Sequence, residues 1–259
     1  MDETTGRDIT ETGEAGSAEG YFVGRAFVTG EQIVHRVPVL LPVEALGRCH
    51  VSAWTNAGAG QLFHSPAQGS GIEERAVSLI EGEDAFHGTP DDLFFGHARL
   101  APVGAAGPEV ITLARKNARM RITVRGLDRR IPEDRYYLTV EIPNDGYDFV
   151  GNPTAGTARV RRTGAFRDNG DFSTDEAFNL IHTDPAVSPA GGVTVNLYEK
   201  ALGRSADRLI ASVTDDDGRP ISLPAGRTVN LLIDLNEGEG LSVYTEITPW
   251  DEIYQWDIW

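Results

Sequence analysis

The chain has 259 residues, of which 40% are apolar, and its 39 acidic and 23 basic residues give a formal net charge of −16. Such a charge repels nucleic-acid phosphates and anionic lipid headgroups, which argues against nucleic-acid binding and electrostatic membrane docking. The one cysteine excludes an intramolecular disulfide framework. No apolar run approaches the roughly 18 residues that span a bilayer.

Short strand patterns alternate with turn signals along the chain. The 29 glycines and 14 prolines favour turns over long helices. Ser173 and Glu176 have the spacing of a helix capping box, but Gly170 and Pro185 leave room for only a turn or two. Strands are predicted near residues 20–29, 33–41, 48–55, 75–81, 92–100, 109–125, 135–142, 157–167, 177–183, 192–200, 207–214, 227–235, 240–248 and 252–258.

Many short strands with almost no helix predict an all-β, antiparallel β-sandwich architecture. These candidate strands are too many for one ordinary sandwich of about seven to nine strands, so two are expected. Small residues dominate the stretch 102–108, which separates two strand patterns and is typical of a domain boundary. We therefore predict an N-terminal domain over residues 1–107 and a C-terminal domain over residues 108–259.

Charge is unevenly distributed along the sequence. Residues 113–135 contain eight basic and three acidic residues, whereas residues 234–259 contain seven acidic residues and no basic one. These stretches are interpreted either as solvated sheet faces whose charges pair across neighbouring strands, or as a surface that meets a partner. The second interpretation rests on an arginine face comprising Arg115, Arg119, Arg121 and Arg125.

The residue types that carry catalysis or bind metals form no recognised motif. The six histidines are scattered, and Cys49 alternates with Val51 and Ala53 as a buried small residue does. The acidic run 215–218 suits calcium chemically, but it lacks the spacing of an EF-hand loop and lies where a hairpin turn is expected. We predict no enzyme, no cofactor, and no catalytic, cofactor-binding or metal-binding residues.

Aromatic residues crowd the C-terminus, where Trp250, Tyr254, Trp256 and Trp259 fall within the last ten positions. They are interpreted either as a last strand that closes the core or as a platform for a glycan or a partner strand.

Three stretches occur in a recognisable order. Residues 40–56 contain Leu-Leu-Pro and then a strand ending in Ala-Trp-Thr-Asn, and residues 91–96 read Asp-Asp-Leu-Phe-Phe-Gly. Residues 110–126 run from Val-Ile-Thr-Leu-Ala-Arg to Ile-Thr-Val-Arg-Gly. Together they resemble the fimbrial anchoring subunits and fimbrillin-like proteins of Bacteroidetes, which build the type V surface pili. Beyond residue 126 the resemblance is one of pattern only, and the C-terminus lacks the Asn-Gly-Trp found in many members.

The resemblance implies two tandem transthyretin-like sandwiches of Greek-key topology, in agreement with the strand count. It implies a non-catalytic cell-surface pilus subunit, most simply an anchor or assembly-initiating protein that joins other fimbrial subunits by β-strand donation. It also implies attachment to the outer membrane through a lipid anchor that this chain does not contain. The alternative is a surface glycan-binding module or tip adhesin that uses the C-terminal aromatic residues.

The beginning of the chain departs from the family pattern. Residues 2–7 are similar to the turn that follows the family's first strand, which predicts that this strand and a signal peptide lie upstream of Met1. A sandwich that lacks one strand exposes unpaired backbone groups beside an apolar groove. An incoming strand would pair with that edge and fill the groove with alternate side chains.

Overall fold

The computed structural model describes residues 2–9, 20–40, 48–56, 58–66, 71, 74–82, 84–100, 110–183, 192–203, 206–235, 240–254 and 256. These residues are nearly all β, which confirms the predicted fold class. The described residues contain one short α-helix, α1 (Gly30–Val34), and one 3-10 helix, Glu133–Arg135. The strands are β1 (Asp2–Ile9), β2 (Gly20–Val28), β3 (Arg48–Thr55), β4 (Gln61–Phe63), β5 (Arg75–Leu79), β6 (Phe94–Leu100), β7 (Ala114–Arg115), β8 (Asn117–Arg125), β9 (Tyr136–Asp148), β10 (Pro153–Arg162), β11 (Gly164–Phe166), β12 (Phe172–Thr174), β13 (Phe178–Ile181), β14 (Thr194–Glu199), β15 (Arg208–Val213), β16 (Asp215–Asp216), β17 (Arg219–Pro220), β18 (Arg227–Asp234) and β19 (Ser242–Pro249).

The chain divides into two compact units, and the first comprises Met1–Leu79, Asp91–Lys116 and Gly146–Thr154. One sheet of this unit has the strand order β2-β1-β3-β6-β7, and its neighbouring strands are antiparallel. Strands β4 and β5 form a second layer with the last residues of β9. Trp54 on β3 is 3% exposed and contacts Phe63, Phe95 and Tyr147, so one aromatic side chain joins both layers.

The motif at residues 91–96 has a structural role in this first unit. The Asp91 carboxylate accepts hydrogen bonds from the Gly60 N–H at 3.0 Å and from Gln61 Nε2 at 3.2 Å. Arg115 donates to both oxygens of Asp92, at 2.7 and 2.8 Å. A Cβ on Gly96 would lie 2.4 Å from the carbonyl oxygen of Thr112, so only glycine fits there. The motif therefore fixes β6 against the segments on either side of it.

The second unit comprises Ile80–Pro90, Asn117–Asp145 and Ala155–Trp259. One of its sheets places β14 between β15 and the first part of β9, and β10 also pairs with β9. The other sheet has the order β11-β12-β8-β18-β19, with β13 also pairing with β8. The alternation predicted around β8 is confirmed, because Ala118, Met120, Ile122 and Val124 are all 0% exposed. Tyr136 on β9 meets Phe172 on β12 edge to face, which joins the two sheets.

One strand pair departs from the antiparallel expectation. Strands β8 and β18 run parallel, from Arg119 opposite Thr228 to Arg125 opposite Asp234. A parallel pair needs a long connection, and nine of the described strands, β9 to β17, lie between β8 and β18 along the chain. Local sequence patterns cannot reveal such a pair, because both strands show the same alternation in either orientation.

Several predicted elements are wrong. Residues 2–7, expected to form a turn, belong to β1, which pairs with both β2 and β3. No strand covers residues 33–40, because Thr29 and Gln32 form a reciprocal capping box that starts α1 at Gly30. The capping-box spacing at Ser173 starts no helix, since Ser173 lies in β12. Residues 252–254 and 256 are not in a strand.

The predicted boundary at residue 107 lies outside the described residues, so its position stays a prediction, as does a further strand upstream of Met1. The tandem transthyretin-like topology also remains a prediction. Neither helix in the described part of the chain has the length and apolar character needed to cross a bilayer.

Tyr137 supplies a test of packing in the second unit. Burial and the hydrogen bond that its hydroxyl donates to Asp207, at 2.8 Å, raise the pKa of Tyr137 to about 12. Tyrosines of the unfolded chain ionise near pH 10. The folded state therefore keeps this proton between pH 10 and 12 while the unfolded state loses it, and stability falls as the pH rises through that window. Tyr137→Phe should weaken this fall in the free energy of unfolding, measured by urea denaturation.

The matched control for that measurement is Tyr244→Phe, which removes an exposed hydroxyl from the same unit. If the free energy of unfolding falls equally in the two variants between pH 10 and 12, the Tyr137 hydroxyl does not contribute to the pH dependence of stability.

Candidate functional site

Strand β19 ends the strand order of its sheet, so among the described residues no further strand of that sheet pairs with its outer side. On its other side it pairs with β18 along its whole length, from Ser242 opposite Asp234 to Pro249 opposite Arg227. Successive residues of an antiparallel strand direct their backbone groups to opposite sides. The outer edge of β19 is therefore a row of N–H and C=O groups that no strand of this sheet pairs with.

The N–H of Thr245 identifies which residues face outward. It donates to Asp216 Oδ2 at 2.8 Å, and the Thr245 hydroxyl donates to the same oxygen at 2.5 Å. Because Thr245 turns its N–H away from β18, Val243 and Ile247, two residues on either side, also direct their backbone groups outward. Pro249 has no N–H, so the outward donor row ends there.

The carboxylate of Asp216 comes from a two-residue hairpin formed by β16 and β17. Asp217 and Gly218 at its tip have positive φ angles of 51° and 76°, as a tight hairpin turn requires. The Asp215 carboxylate accepts the N–H of Gly218 at 2.9 Å. The turn predicted at residues 215–218 is thus present, and the carboxylates of Asp215 and Asp216 accept hydrogen bonds from N–H and hydroxyl groups of the protein. No local sequence pattern indicates the contact between Asp216 and Thr245, because these residues are 29 positions apart.

Large apolar side chains remain exposed along this edge. Ile247 and Tyr244 are each 48% exposed, and Leu241, just before β19, is 47% exposed. Exposed apolar residues on an edge strand are a liability in an isolated molecule and are typical of a surface that pairs with another chain. We refer to Val243, Tyr244, Thr245 and Ile247, with their outward backbone groups, as the β19 edge.

The C-terminal aromatic residues have two different environments. Trp250 is buried, and its ring lies 5.2 Å from the guanidinium of Arg119, on the face of β8 opposite the core residues. Tyr254 is 42% exposed, and its ring centroid lies 4.9 Å from that of Trp256. Tyr244 lies 6.4 Å from Trp256, so the three rings form an aromatic cluster at the surface. Trp259 lies outside the described residues.

The arginine face is largely paired within the chain. Arg115 binds Asp92, and Arg125 donates to both oxygens of Asp171 at 3.3 Å. Arg125 also lies 3.9 Å from Asp234, the cross-strand pairing that the sequence predicts. Arg119 donates to the Trp250 carbonyl oxygen at 3.1 Å. Arg121 differs, because its Nε reaches only the Ser173 hydroxyl, at 3.4 Å.

Other residues singled out in the sequence are not brought together. Cys49 lies in β3, but its side chain is outside the described residues. Within the described ranges, no group of three or more His, Cys, Asp or Glu side chains is arranged to hold a metal ion.

Comparison with known proteins identifies a family and a shared fold. A model of the family described as fimbrillin-A associated anchor proteins, Mfa1 and Mfa2, matches residues 17–256. No curated protein sequence matches the chain.

Solved structures share the fold at low sequence identity. The fimbrial anchor protein Mfa2 from Porphyromonas gingivalis gives a TM-score of 0.64 at 13% identity, covering 96% of this chain and 89% of that one. A proposed polysaccharide-binding protein from Bacteroides thetaiotaomicron gives 0.65 at 14% identity, covering 98% and 89%. A proposed adhesin from the same bacterium gives 0.59 at 13% identity, covering 96% and 88%.

Asp216→Ala tests whether the hairpin shields the β19 edge. The substitution leaves the Thr245 N–H and hydroxyl without their acceptor, so stability should fall by about 1–2 kcal/mol. It also frees one outward donor for pairing, so self-association should increase severalfold. Sedimentation velocity over a concentration series measures this change.

The control is Asp251→Ala, which removes the same charge from an exposed position and should self-associate no more than the unchanged chain. If both variants self-associate equally, the lost negative charge explains the association and the hairpin does not shield the edge.

Proposed function

The chain belongs to the family of fimbrillin-A associated anchor proteins, and we propose that it is a non-catalytic subunit that anchors or initiates a cell-surface fimbrium. Its all-β fold, shared with Mfa2 of P. gingivalis, supports this assignment. The observation that carries the mechanism is the β19 edge, a sheet edge with outward backbone donors and exposed apolar side chains.

In the proposed assembly a strand from another fimbrial subunit adds to the β19 edge. The incoming backbone accepts and donates hydrogen bonds at Val243 and Ile247. Tyr244 and Ile247, on opposite faces of β19, lose exposed apolar area against the added strand. Asp216 covers the position between the two outward donors, so the incoming strand displaces the hairpin carboxylate or pairs on one side of it.

The proposal places the protein in the fimbrium at the cell surface, held to the outer membrane through a lipid attached to a cysteine outside this chain. Support for the lipid comes from the family resemblance. Metabolic labelling of producing cells with an alkyne fatty acid tests it, and an unlabelled protein would contradict it.

Ile247→Pro tests backbone pairing at the β19 edge. The variant lacks an N–H that β18 does not use, so it should fold, as prolines are tolerated on edge strands. Capture of fimbriae sheared from producing cells, measured by biolayer interferometry, should fall at least tenfold. Val243→Pro blocks a second outward N–H and should have the same effect.

The matched control is Ile247→Ala, which removes the apolar side chain and keeps the N–H. It should retain most of the capture, whereas an equal loss in the alanine and proline variants would indicate side-chain contact without strand addition. Unchanged capture by both proline variants, with melting temperatures near that of the parent, would remove the β19 edge from the proposal and leave the family assignment in place.

A second candidate function is glycan binding at the surface aromatic cluster. Exposed rings at Tyr244 and Tyr254, grouped around Trp256, offer the apolar faces on which sugar rings stack. Binding to a glycan array tests this function, and Tyr254→Ala should abolish it. Equal array signals for the variant and the unchanged chain would remove the cluster from consideration.

A further inference from the structure

We propose that Arg121 and Arg167 bind the carboxylate of an acidic saccharide whose sugar ring lies on the neighbouring aromatic cluster. The inference rests on the second candidate function and names its ligand class. It uses Arg121, the member of the arginine face for which the described residues provide neither an ion pair nor an aromatic ring contact.

Arg121 lies in a row of arginines on the outer face of β8. Its neighbours in that row are neutralised or stacked, Arg125 by Asp171 and Arg119 by Trp250. Arg121 has a single long hydrogen bond to the Ser173 hydroxyl, and within the described residues it forms no ion pair. Its guanidinium therefore keeps most of its donor capacity for a ligand.

Arg167 brings a second guanidinium to the same region. Its Nη2 donates to the carbonyl oxygens of Thr174 and Asp175, at 3.0 and 3.2 Å, directly after Ser173. The Asp175 carboxylate is 4.0 Å away and 67% exposed, so it neutralises Arg167 only weakly. The Nε of Arg167 is buried and has no hydrogen-bond partner in the described structure.

The two positive groups are close enough to affect each other. Partial burial lowers the pKa of Arg121, and the charge of Arg167 lowers it further. Two partly buried like charges without a strong counter-ion are costly, and an anion between them would offset that cost. A carboxylate suits the site because a guanidinium binds its two oxygens in a planar, paired arrangement.

The strand register and one hydrogen bond place Tyr254, a member of the aromatic cluster, near Arg121. Arg121 lies opposite Asn230 on the adjoining parallel strand, about 4.8 Å away across the sheet. Asn230 Oδ1 accepts the N–H of Tyr254 at 3.2 Å, so the C-terminal segment crosses the sheet next to Arg121. Arg121 and Tyr254 therefore meet at Asn230 on one face of the sheet, and Glu246 is the next residue across on the same face.

The overall charge narrows the ligand class further. A chain with net charge −16 repels polyanions at long range, so nucleic acids and heavily sulfated polymers are poor candidates. A single carboxylate on a mostly neutral saccharide feels the two arginines within the Debye length of about 8 Å at physiological salt. The exposed rings near Arg121 offer flat apolar faces on which the ring of such a saccharide would stack.

The experiment compares methyl β-D-glucuronide with methyl β-D-glucoside. The two differ only at C6, which is a carboxylate in the glucuronide and a hydroxymethyl group in the glucoside. Affinities come from NMR titration of the full chain up to 50 mM ligand. The unchanged chain should bind the glucuronide at least tenfold more tightly than the glucoside. The double variant Arg121→Gln, Arg167→Gln should lose this preference, whereas Arg130→Gln, at a site 90% exposed, should keep it. Arg121→Lys should retain part of the preference, because it keeps the charge and loses the paired geometry.

The remaining outcomes separate the two proposals. Equal affinities for both glycosides, lost in Tyr254→Ala, would leave the aromatic site standing and overturn the role of the arginines. Absence of binding by either glycoside overturns both. Tighter binding of a glutamate-containing peptide than of the glucuronide would reassign the arginines to a protein partner and overturn the saccharide. If the double variant does not fold, the glycoside comparison on the unchanged chain still decides the carboxylate preference.

Discussion

The structure depends on the requirement that backbone N–H and C=O groups find partners. A β-sheet meets this requirement inside the sheet and leaves it unmet at the edge. Among the described residues, β19 meets it only in part, since Asp216 occupies the outward N–H of Thr245 while the outward groups of Val243 and Ile247 pair with no strand of the sheet. A folded subunit that keeps open donors beside exposed apolar side chains is suited to pairing with another subunit.

The same carboxylate gives the edge a degree of protection. A short hairpin that binds one edge N–H interrupts the regular row that an incoming strand needs, which limits uncontrolled pairing before assembly. Displacing one carboxylate from one N–H and one hydroxyl costs little compared with the hydrogen bonds of an added strand. Edge protection and strand addition are therefore compatible at β19.

The edge and the outer face of this sheet are different surfaces. Strand addition uses backbone groups in the plane of the sheet, whereas saccharide binding at Arg121 and the aromatic cluster uses side chains above it. Trp256 lies near both, since it contacts Tyr244 of β19 and Tyr254 of the C-terminal segment. An added strand would thus change the surroundings of the rings, and assembly and glycan binding would influence each other.

The sequence by itself determined the fold class, because the alternation of β8 and the density of turn residues depend only on local spacing. It also located the hairpin at residues 215–218 and the family motif at residues 91–96. Only the tertiary structure decided that β19 is an edge, that β18 runs parallel to β8, and that Arg121 lacks the acidic partner that Arg125 has. The physical reason is that strand order and orientation depend on packing summed over distant segments, while edge and central strands share the same local pattern.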